Sequence, residues 1–112
     1  MKILIDTNFI LSAIKFKIRL PGDILIPSSV LHELRIIAQR KSVTGARARA
    51  ALMLLENKKI VNTHGNADKA ILKYSIDNNC AVATNDKKLI KALKASGIKI
   101  IRIRQKKYII EE

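Results

Sequence analysis

The sequence predicts an α/β domain of three layers, in which a central parallel sheet of about five strands lies between helices. Short aliphatic runs alternate with helical patterns along the chain, and this alternation is typical of strands joined by right-handed helical crossovers. Hydrophobic residues make up 48% of the chain and aromatic residues only 4%. This composition suits parallel strands, which are buried on both faces. Because 112 residues are sufficient for one domain, we expect a single domain over residues 1–112.

Each predicted strand is a short aliphatic run bounded by turn or cap residues. The strands are expected at residues 2–5, 24–26, 59–62, 80–84 and 98–103. Helices are expected at about 8–16, 28–40 and 44–57, from Asn66 to about Asp77, and from the Asn85–Asp86 cap to about Ala95. Ser28 or Ser29 is the predicted cap of the second helix. A turn is expected around Pro21, and no strand is predicted in the tail beyond residue 106, which holds a short apolar patch.

The charge balance is strongly basic, with 22 Lys and Arg residues against nine Asp and Glu residues, for a formal net charge of +13. A small basic domain favours a polyanionic partner, because neutralising phosphates releases condensed counterions. A solvated Lys-rich surface and contact with an acidic membrane surface are the alternatives. No stretch approaches the roughly 20 apolar residues of a membrane span. The single Cys80 allows no internal disulfide and is expected in the core, and the start of the chain lacks a cleavable leader pattern. We therefore expect a cytoplasmic protein.

Four of the few acidic residues are placed where a parallel sheet would bring them together. Asp6 follows the first predicted strand and Asp86 follows the fourth. Asp68 opens the helix before the fourth strand, and Glu33 lies about one turn inside the helix after the second. The carboxyl ends of the strands and the first turns of the following helices face the same edge of a sheet, where ligands bind. The four acids are therefore expected to converge at this edge.

Clustered carboxylates raise one another's pKa values unless a cation compensates their charge. Hard oxygen ligands with open positions select Mg²⁺ or Mn²⁺, and such an ion can activate water and stabilise charge on a phosphate. An acidic pocket within a basic surface is the pattern expected of a metal-dependent nuclease. For Asp6 and Asp86 taken singly, a plain helix cap is an equally good interpretation.

Four segments also resemble the motifs of PIN-domain nucleases. They are KILIDTNFILSA, VLHEL, NADKAIL and VATNDKKL, and they cover nearly the whole chain in the family's order. The resemblance implies parallel strands between helices and an acidic pocket that holds Mg²⁺ or Mn²⁺. By this match the metal-binding residues would be Asp6, Asp68 and Asp86, with Glu33 completing the catalytic pocket. The residues that support the pocket by hydrogen bonding would be Thr7, Asn8, Thr84 and Asn85.

Within that family, the last third of the chain resembles one branch most. CAVATNDKKLIKALKASGIKIIRIRQKKYIIEE is similar to the ribosomal-RNA-processing endonucleases of the small-subunit pathway, in which a basic helix, a Gly-Ile strand and a Tyr-containing tail follow the fourth motif. Zinc-ribbon cysteines and an N-terminal extension are missing, so the resemblance implies a minimal archaeal-type version. The neighbouring branch is VapC, the toxin ribonucleases of toxin–antitoxin pairs. A non-catalytic RNA-binding domain with the same fold is a further alternative.

Basic residues near the acids are candidates for RNA contact, although a solvated helix face is an equally good interpretation. They are Lys87, Lys88, Lys91, Arg102 and Arg104. His32 and His64 are expected to be surface or capping residues. The expected partner is RNA, ribosomal RNA by the first branch, with a protein partner unidentified. Dimers are common in the family, so the apolar helix around 44–55 is a candidate dimer interface, and the same residues could equally be core.

Overall fold

The computed structural model describes residues 1–20, 22–63 and 66–112, and six strands within these ranges form one sheet. The strands are β1 (Lys2–Ile5), β2 (Asp23–Pro27), β3 (Lys59–Val61), β4 (Ala81–Ala83), β5 (Ile100–Arg104) and β6 (Tyr108–Glu111). Their order across the sheet is β3-β2-β1-β4-β5-β6. The first five run parallel, and β6 runs antiparallel to β5. The predictions for Pro21 and His64 lie outside the described residues.

Five helices in the described ranges cover the sheet. They are α1 (Thr7–Lys15), α2 (Ser28–Ala38), α3 (Val43–Leu54), α4 (Ala67–Asn78) and α5 (Lys87–Ala95). The first three pack against one another, and α4 packs against α5. Because the connections to β2 and β3 run to one side of β1 and those to β4 and β5 run to the other, right-handed crossovers place the two groups on opposite faces. The predicted three-layer α/β fold is therefore confirmed.

The strand order reverses direction between β1 and β4, which are neighbours at the centre of the sheet. At such a point the connections leave toward opposite faces, and a crevice opens beyond the carboxyl ends of the strands. Ile5 is paired with Ala83 in this register, and the amide of Asp6 donates to the carbonyl of Ala83 over 3.0 Å. The residues that follow, Asp6 and Thr84, are therefore side by side at the crevice.

Aliphatic side chains of the central strands form the core of the domain. Leu4, Val82 and Ile100 come from three adjacent strands and have no exposed surface. Burying each such side chain stabilises the fold by about 1.5–3 kcal/mol. Cys80 is buried with a free thiol, as predicted for a core residue. No helix in the described part of the chain has the length and hydropathy that a membrane span requires.

The sixth strand was not expected, because the tail was predicted to have no strand and the sheet to have about five. Tyr108 pairs with Arg104, and Ile110 pairs with Arg102. Gln105 and Lys106 both have positive φ values, 54° and 57°. Two such residues between antiparallel strands form the turn geometry that Asn-Gly usually signals. The sequence therefore contains no usual turn residues that would predict this turn. The sheet ends in an antiparallel edge strand.

The predicted cap of the second helix is also wrong. Helix α2 begins at Ser28, and its cap residue is Pro27, which makes no side-chain hydrogen bond. The two serine hydroxyls instead contact Thr63, with 3.0 Å between Ser29 Oγ and Thr63 Oγ1. Ser28 Oγ also accepts the amide hydrogen of Thr63 over 3.0 Å. These bonds attach the start of α2, and thereby Glu33, to the segment after β3.

Candidate active site

Asp6 is a buried carboxylate at the end of the central strand. Only 9% of the residue is exposed. Its Oδ1 accepts the amide hydrogen of Thr7 at 2.9 Å, and its Oδ2 accepts the hydroxyl hydrogen of Thr84 at 2.9 Å. Burial raises the pKa of Asp6 despite these two bonds, and the charges of Asp68 and Asp86 raise it further. The carboxylate is therefore held in place but disfavoured as an anion until a positive charge approaches.

Thr84 connects Asp6 to Asp86. Its hydroxyl oxygen donates to Asp6 and accepts the backbone amide hydrogen of Asp86 over 3.1 Å. Thr84 itself is fully buried, so this bridge is protected from water. The backbone at the start of α5 is thereby fixed relative to the end of β1.

Asp86 is the N-cap of α5, as one of the two sequence interpretations predicted. Its Oδ1 accepts the amide hydrogens of Lys88 at 2.9 Å and Leu89 at 3.2 Å. Both capping bonds are made by the same oxygen, and the residue is only half-buried. Capping therefore leaves Oδ2 available to the crevice, so the structural and functional interpretations of Asp86 are compatible.

Glu33, on α2, is connected to the site through Thr7. The hydroxyl of Thr7 donates to Glu33 Oε2 over 3.2 Å, and the amide of the same threonine donates to Asp6. Glu33 is exposed and Thr7 is buried. Two threonines thus connect the carboxylates of Asp6 and Glu33 and the backbone amide of Asp86, with Asp6 in the middle of the chain of hydrogen bonds.

Asp68 is the fourth acid, and it joins the group through charge alone. It lies in the first turn of α4, whose N-cap is Asn66, and its carboxylate is close enough to raise the pKa of Asp6. It also lines a cleft of about 160 Å³ between α4 and α5, together with Lys88. The structure therefore brings all four predicted acids to the carboxyl edge of the sheet, three linked by hydrogen bonds and one by electrostatics.

These carboxylates suit a hard divalent cation in their chemistry. A cation beside Asp6 would oppose both causes of its raised pKa, burial and like charge. Within the described residues, however, no three His, Cys, Asp or Glu side chains lie close enough together to bind one ion. Binding at this edge therefore requires side-chain rotation, most simply of the exposed Asp68 and the half-buried Asp86.

Two of the predicted supporting residues have other contacts. The Asn85 amide donates to the carbonyl of Ile103 and its carbonyl accepts the amide hydrogen of Ile103, each over 2.9 Å. This pair of bonds fastens the start of α5 to β5, away from the carboxylates. Asn8 is exposed on α1 and lines a groove facing α3. Thr7 and Thr84 are thus the predicted supporting residues that hydrogen-bond to the acids.

Of the five predicted RNA-contacting residues, four are exposed and one forms an ion pair within the domain. Lys87, Lys88 and Lys91 are exposed along α5, and Arg104 is exposed at the end of β5. Arg102 instead forms an ion pair with Glu112, with 3.2 Å between Nε and Oε1. The hydrogen bond from Lys94 and the charge of Arg102 lower the pKa of Glu112. Arg102 is therefore committed to the contact between α5 and the edge of the sheet.

Sequence reasoning missed the contacts that position these residues. Thr63, with Ser28 and Ser29, fixes the helix that carries Glu33, and its partners are 34 or 35 residues away in sequence. His32, next to Glu33, is exposed as predicted.

Comparison of the sequence with known proteins identifies a matching family and two similar proteins. A family model described as "PIN like domain" matches residues 3–106. Ribonuclease VapC4 of Methanocaldococcus jannaschii is 36% identical, over 96% of this chain and 93% of that protein. Ribonuclease VapC9 of Archaeoglobus fulgidus is 27% identical, over 96% and 87% respectively.

Two solved structures share the fold at lower identity. One is a domain of a functionally unknown protein from Methanocaldococcus jannaschii, with a TM-score of 0.66, 22% identity and coverage of 92% of this chain and 91% of that one. The other is VapBC2 from Rickettsia felis bound to a DNA fragment from their promoter. Its TM-score is 0.63 at 20% identity, with coverage of 91% of this chain and 98% of that one.

Proposed function

Because this chain belongs to the family of PIN-like domains, we propose that it is a divalent-metal-dependent endoribonuclease of the VapC type. The resemblance to PIN-domain nucleases is confirmed at the level of the family. The comparisons give no support to the ribosomal-RNA-processing branch, which the tail had favoured. The relatives named above are VapC ribonucleases, so the alternative prediction fits better.

The observation that carries the proposal is the buried Asp6 carboxylate and its hydrogen-bonded neighbours. Thr84 links it through a hydroxyl to the backbone amide of Asp86, and Thr7 links it through its own amide and hydroxyl to the carboxylate of Glu33. A domain that only binds RNA gains nothing from a cluster of negative charge at its ligand edge, because it repels phosphates. A bound divalent ion reverses that repulsion. The arrangement is therefore better suited to hydrolysis than to binding alone.

Asp6, Asp68 and Asp86 would hold Mg²⁺ or Mn²⁺ at this edge. When bound, the ion supplies charge neutralisation at the phosphate and lowers the pKa of water. The protein's own contribution is positioning: Thr84 and Thr7 hold the Asp6 carboxylate from both oxygens, and Asp86 is fixed by its helix. Glu33, exposed beside Asp6, is placed to accept a hydrogen bond from the attacking water. Lys88, next to Asp68 in the α4–α5 cleft, is placed to contact a phosphate oxygen.

The test is cleavage of a panel of transfer and ribosomal RNAs, with Mg²⁺ or Mn²⁺ and with chelator. Asp6→Asn should reduce the rate by more than about 100-fold, the scale of losing a preorganised electrostatic group. Asp23→Asn is the matched control, because Asp23 is an exposed acid at the start of β2. This variant should cleave RNA at the wild-type rate. Equal cleavage by the Asp6 variant, or cleavage that persists in chelator, contradicts the proposal.

We also propose that the chain acts as a toxin with an antitoxin protein as its partner, supported by the VapC relatives and the fold shared with VapBC2. The same variants test this role in cells. Expression of the wild type and of Asp23→Asn without a partner should arrest growth, and Asp6→Asn should not. Growth arrest that is equally strong with Asp6→Asn would separate toxicity from cleavage and contradict the toxin role proposed here.

A further inference from the structure

A polar groove of about 260 Å³ separates α1 from α3. Its lining residues are amides, hydroxyls and cations around one leucine: Asn8, Leu11, Ser12, Lys15, Thr44 and Arg47. None of the six is acidic. The groove is thus opposite in character to the carboxylate edge, although it begins only two residues after Asp6.

The α1 wall of the groove is one face of the helix. Asn8, Leu11, Ser12 and Lys15 are separated by three, four and seven positions, which places them in a row. At 1.5 Å per residue the row extends about 10 Å along the helix axis. It leads from the turn that carries Asp6 to the last residue of α1, so a ligand at the carboxylate edge can continue into it.

Two of the residues that line the groove are cations, Lys15 and Arg47, and neither forms an ion pair within the described part of the chain. The ion pairs in that part are formed by Lys94, Lys99 and Arg102. Lys15 Nζ lies 5.2 Å from the centre of the Phe16 ring, a distance at which the ring attracts the ammonium group.

The two arginines of α3 have different environments. Arg49 donates to the carbonyls of Ala38 and Arg40 over 2.7 and 3.1 Å, and so it caps the end of α2. Arg47 is half-buried and lines the groove. Arg49 is therefore committed to the fold through its hydrogen bonds, while Arg47 is among the residues that line the groove.

We propose that the α1–α3 groove binds the phosphate groups of the RNA strand next to the phosphate that is cleaved at the carboxylate edge. This inference rests on the proposed function, since it describes how the same substrate is held. Amide and hydroxyl side chains such as Asn8, Ser12 and Thr44 commonly donate to phosphate oxygens, and Lys and Arg neutralise their charge. Cations beside the acids also offset the repulsion that the acids exert on the incoming strand.

The experiment measures RNA binding in the Asp6→Asn background, so that cleavage does not interfere. Lys15→Gln with Arg47→Gln removes the two groove charges. Arg19→Gln with Lys58→Gln is the matched control: it removes one lysine and one arginine that are exposed near the amino ends of β2 and β3. The groove variant should bind a single-stranded RNA at least about tenfold more weakly at low salt. Its slope of log affinity against log salt should fall by about 1.4, since each phosphate contact on a single strand contributes about 0.7.

Thermal unfolding of both double variants shows whether each is folded. If the folded groove variant binds RNA as tightly as the control variant, the inference is overturned. It is also overturned if the groove variant loses affinity for polyglutamate but not for RNA, because the groove would then serve an acidic protein. With the active enzyme, the groove variant should raise KM and leave kcat unchanged. If the wild type cleaves no RNA, the proposed function fails, while the binding comparison still decides the role of the groove.

Discussion

Asp6 is the residue at which folding and the proposed chemistry oppose each other. An isolated buried carboxylate is costly for a domain to keep, and hydrogen bonds from Thr7 and Thr84 only partly offset that cost. Burial and two neighbouring acids raise its pKa. Strongly perturbed groups of this kind concentrate at functional sites.

The raised pKa of Asp6 predicts how the metal-free protein responds to pH. Between the ordinary pKa of an aspartate and the raised one, the folded chain binds more protons than the unfolded chain. Its free energy of unfolding should therefore fall as pH rises through this window. Asp6→Asn removes the titrating group, so its free energy of unfolding should vary less with pH. At pH 7 it should exceed that of the wild type, raising Tm by up to a few degrees.

Urea unfolding at several pH values in chelator measures this effect. The asparagine keeps the side-chain size, accepts from the Thr7 amide and can donate to the Thr84 hydroxyl oxygen. Asp23→Asn, at an exposed position, should follow the wild-type profile. An Asp6→Asn protein that is less stable than the wild type at pH 7 would show that the carboxylate stabilises the fold, against this account.

For single residues, the sequence predicted the position along the backbone well and the hydrogen-bond partners of the side chains poorly. Asp6, Asp68 and Asp86 were placed at the correct edge because each directly follows a strand or opens a helix. The partner of Asn85 is Ile103, 18 residues away, and no local pattern indicates that bond. The same limit applies to Arg49, whose hydrogen bond to the carbonyl of Ala38 at the end of α2 spans 11 residues.

The connection from α2 to α3 depends on a glycine. A Cβ added at Gly45 would overlap the carbonyl oxygen of Arg40, so only glycine permits the first turn of α3 to pack this closely against the loop that follows α2. Gly45→Ala should lower the free energy of unfolding by about 1–3 kcal/mol, the usual cost of overpacking. It should also lower activity, because α2 carries Glu33.

Denaturant unfolding and a cleavage assay measure the two effects of Gly45→Ala. Ala46→Ser, at the adjacent exposed position, is the control and should change stability by less than about 0.5 kcal/mol. An unchanged free energy of unfolding for Gly45→Ala would mean that the loop at Arg40 moves away from α3 at no cost, and the close packing described here would be wrong.

The strands with an aliphatic sequence pattern were predicted, and β6, which depends on pairing with its neighbour β5, was not. All five parallel strands were identified from aliphatic runs. Burial on both faces produces such runs in the more central strands, whereas β3 exposes Lys59 and Ile60. Strand β6 is short, half-exposed and stabilised by pairing with β5. Its turn uses Gln105 and Lys106 at positive φ, so neither composition nor turn residues indicate it.

The whole molecule combines a formal charge of +13 with a carboxylate cluster at one edge of the sheet. The order of the strands brings the cluster together, since β1 and β4 are neighbours although they are distant in sequence. The class of fold could be predicted from alternation. The tail favoured the ribosomal-RNA-processing branch, which the comparisons do not support; the tail forms an edge strand with its own structural contacts, including the Arg102–Glu112 pair.

Association between copies of the chain stays a prediction. Helix α3 buries Gly45, Ala48 and Ala51 against the domain, so part of the predicted interface is core. It also exposes Val43 and Met53, at 65% and 76% of their surface. The core interpretation therefore holds for the buried face of α3, and the dimer interface stays a prediction for its exposed face.

Mn²⁺ binding tests the central claim, that the carboxylates at this edge form a divalent-metal site. The measurement is a titration of the protein with Mn²⁺, in which free ion is followed by electron paramagnetic resonance for the wild type, Asp6→Asn and Asp23→Asn. The wild type and Asp23→Asn should bind Mn²⁺ with the same affinity, and Asp6→Asn should bind it at least about tenfold more weakly. Equal Mn²⁺ affinity in the wild type and Asp6→Asn would contradict the claim.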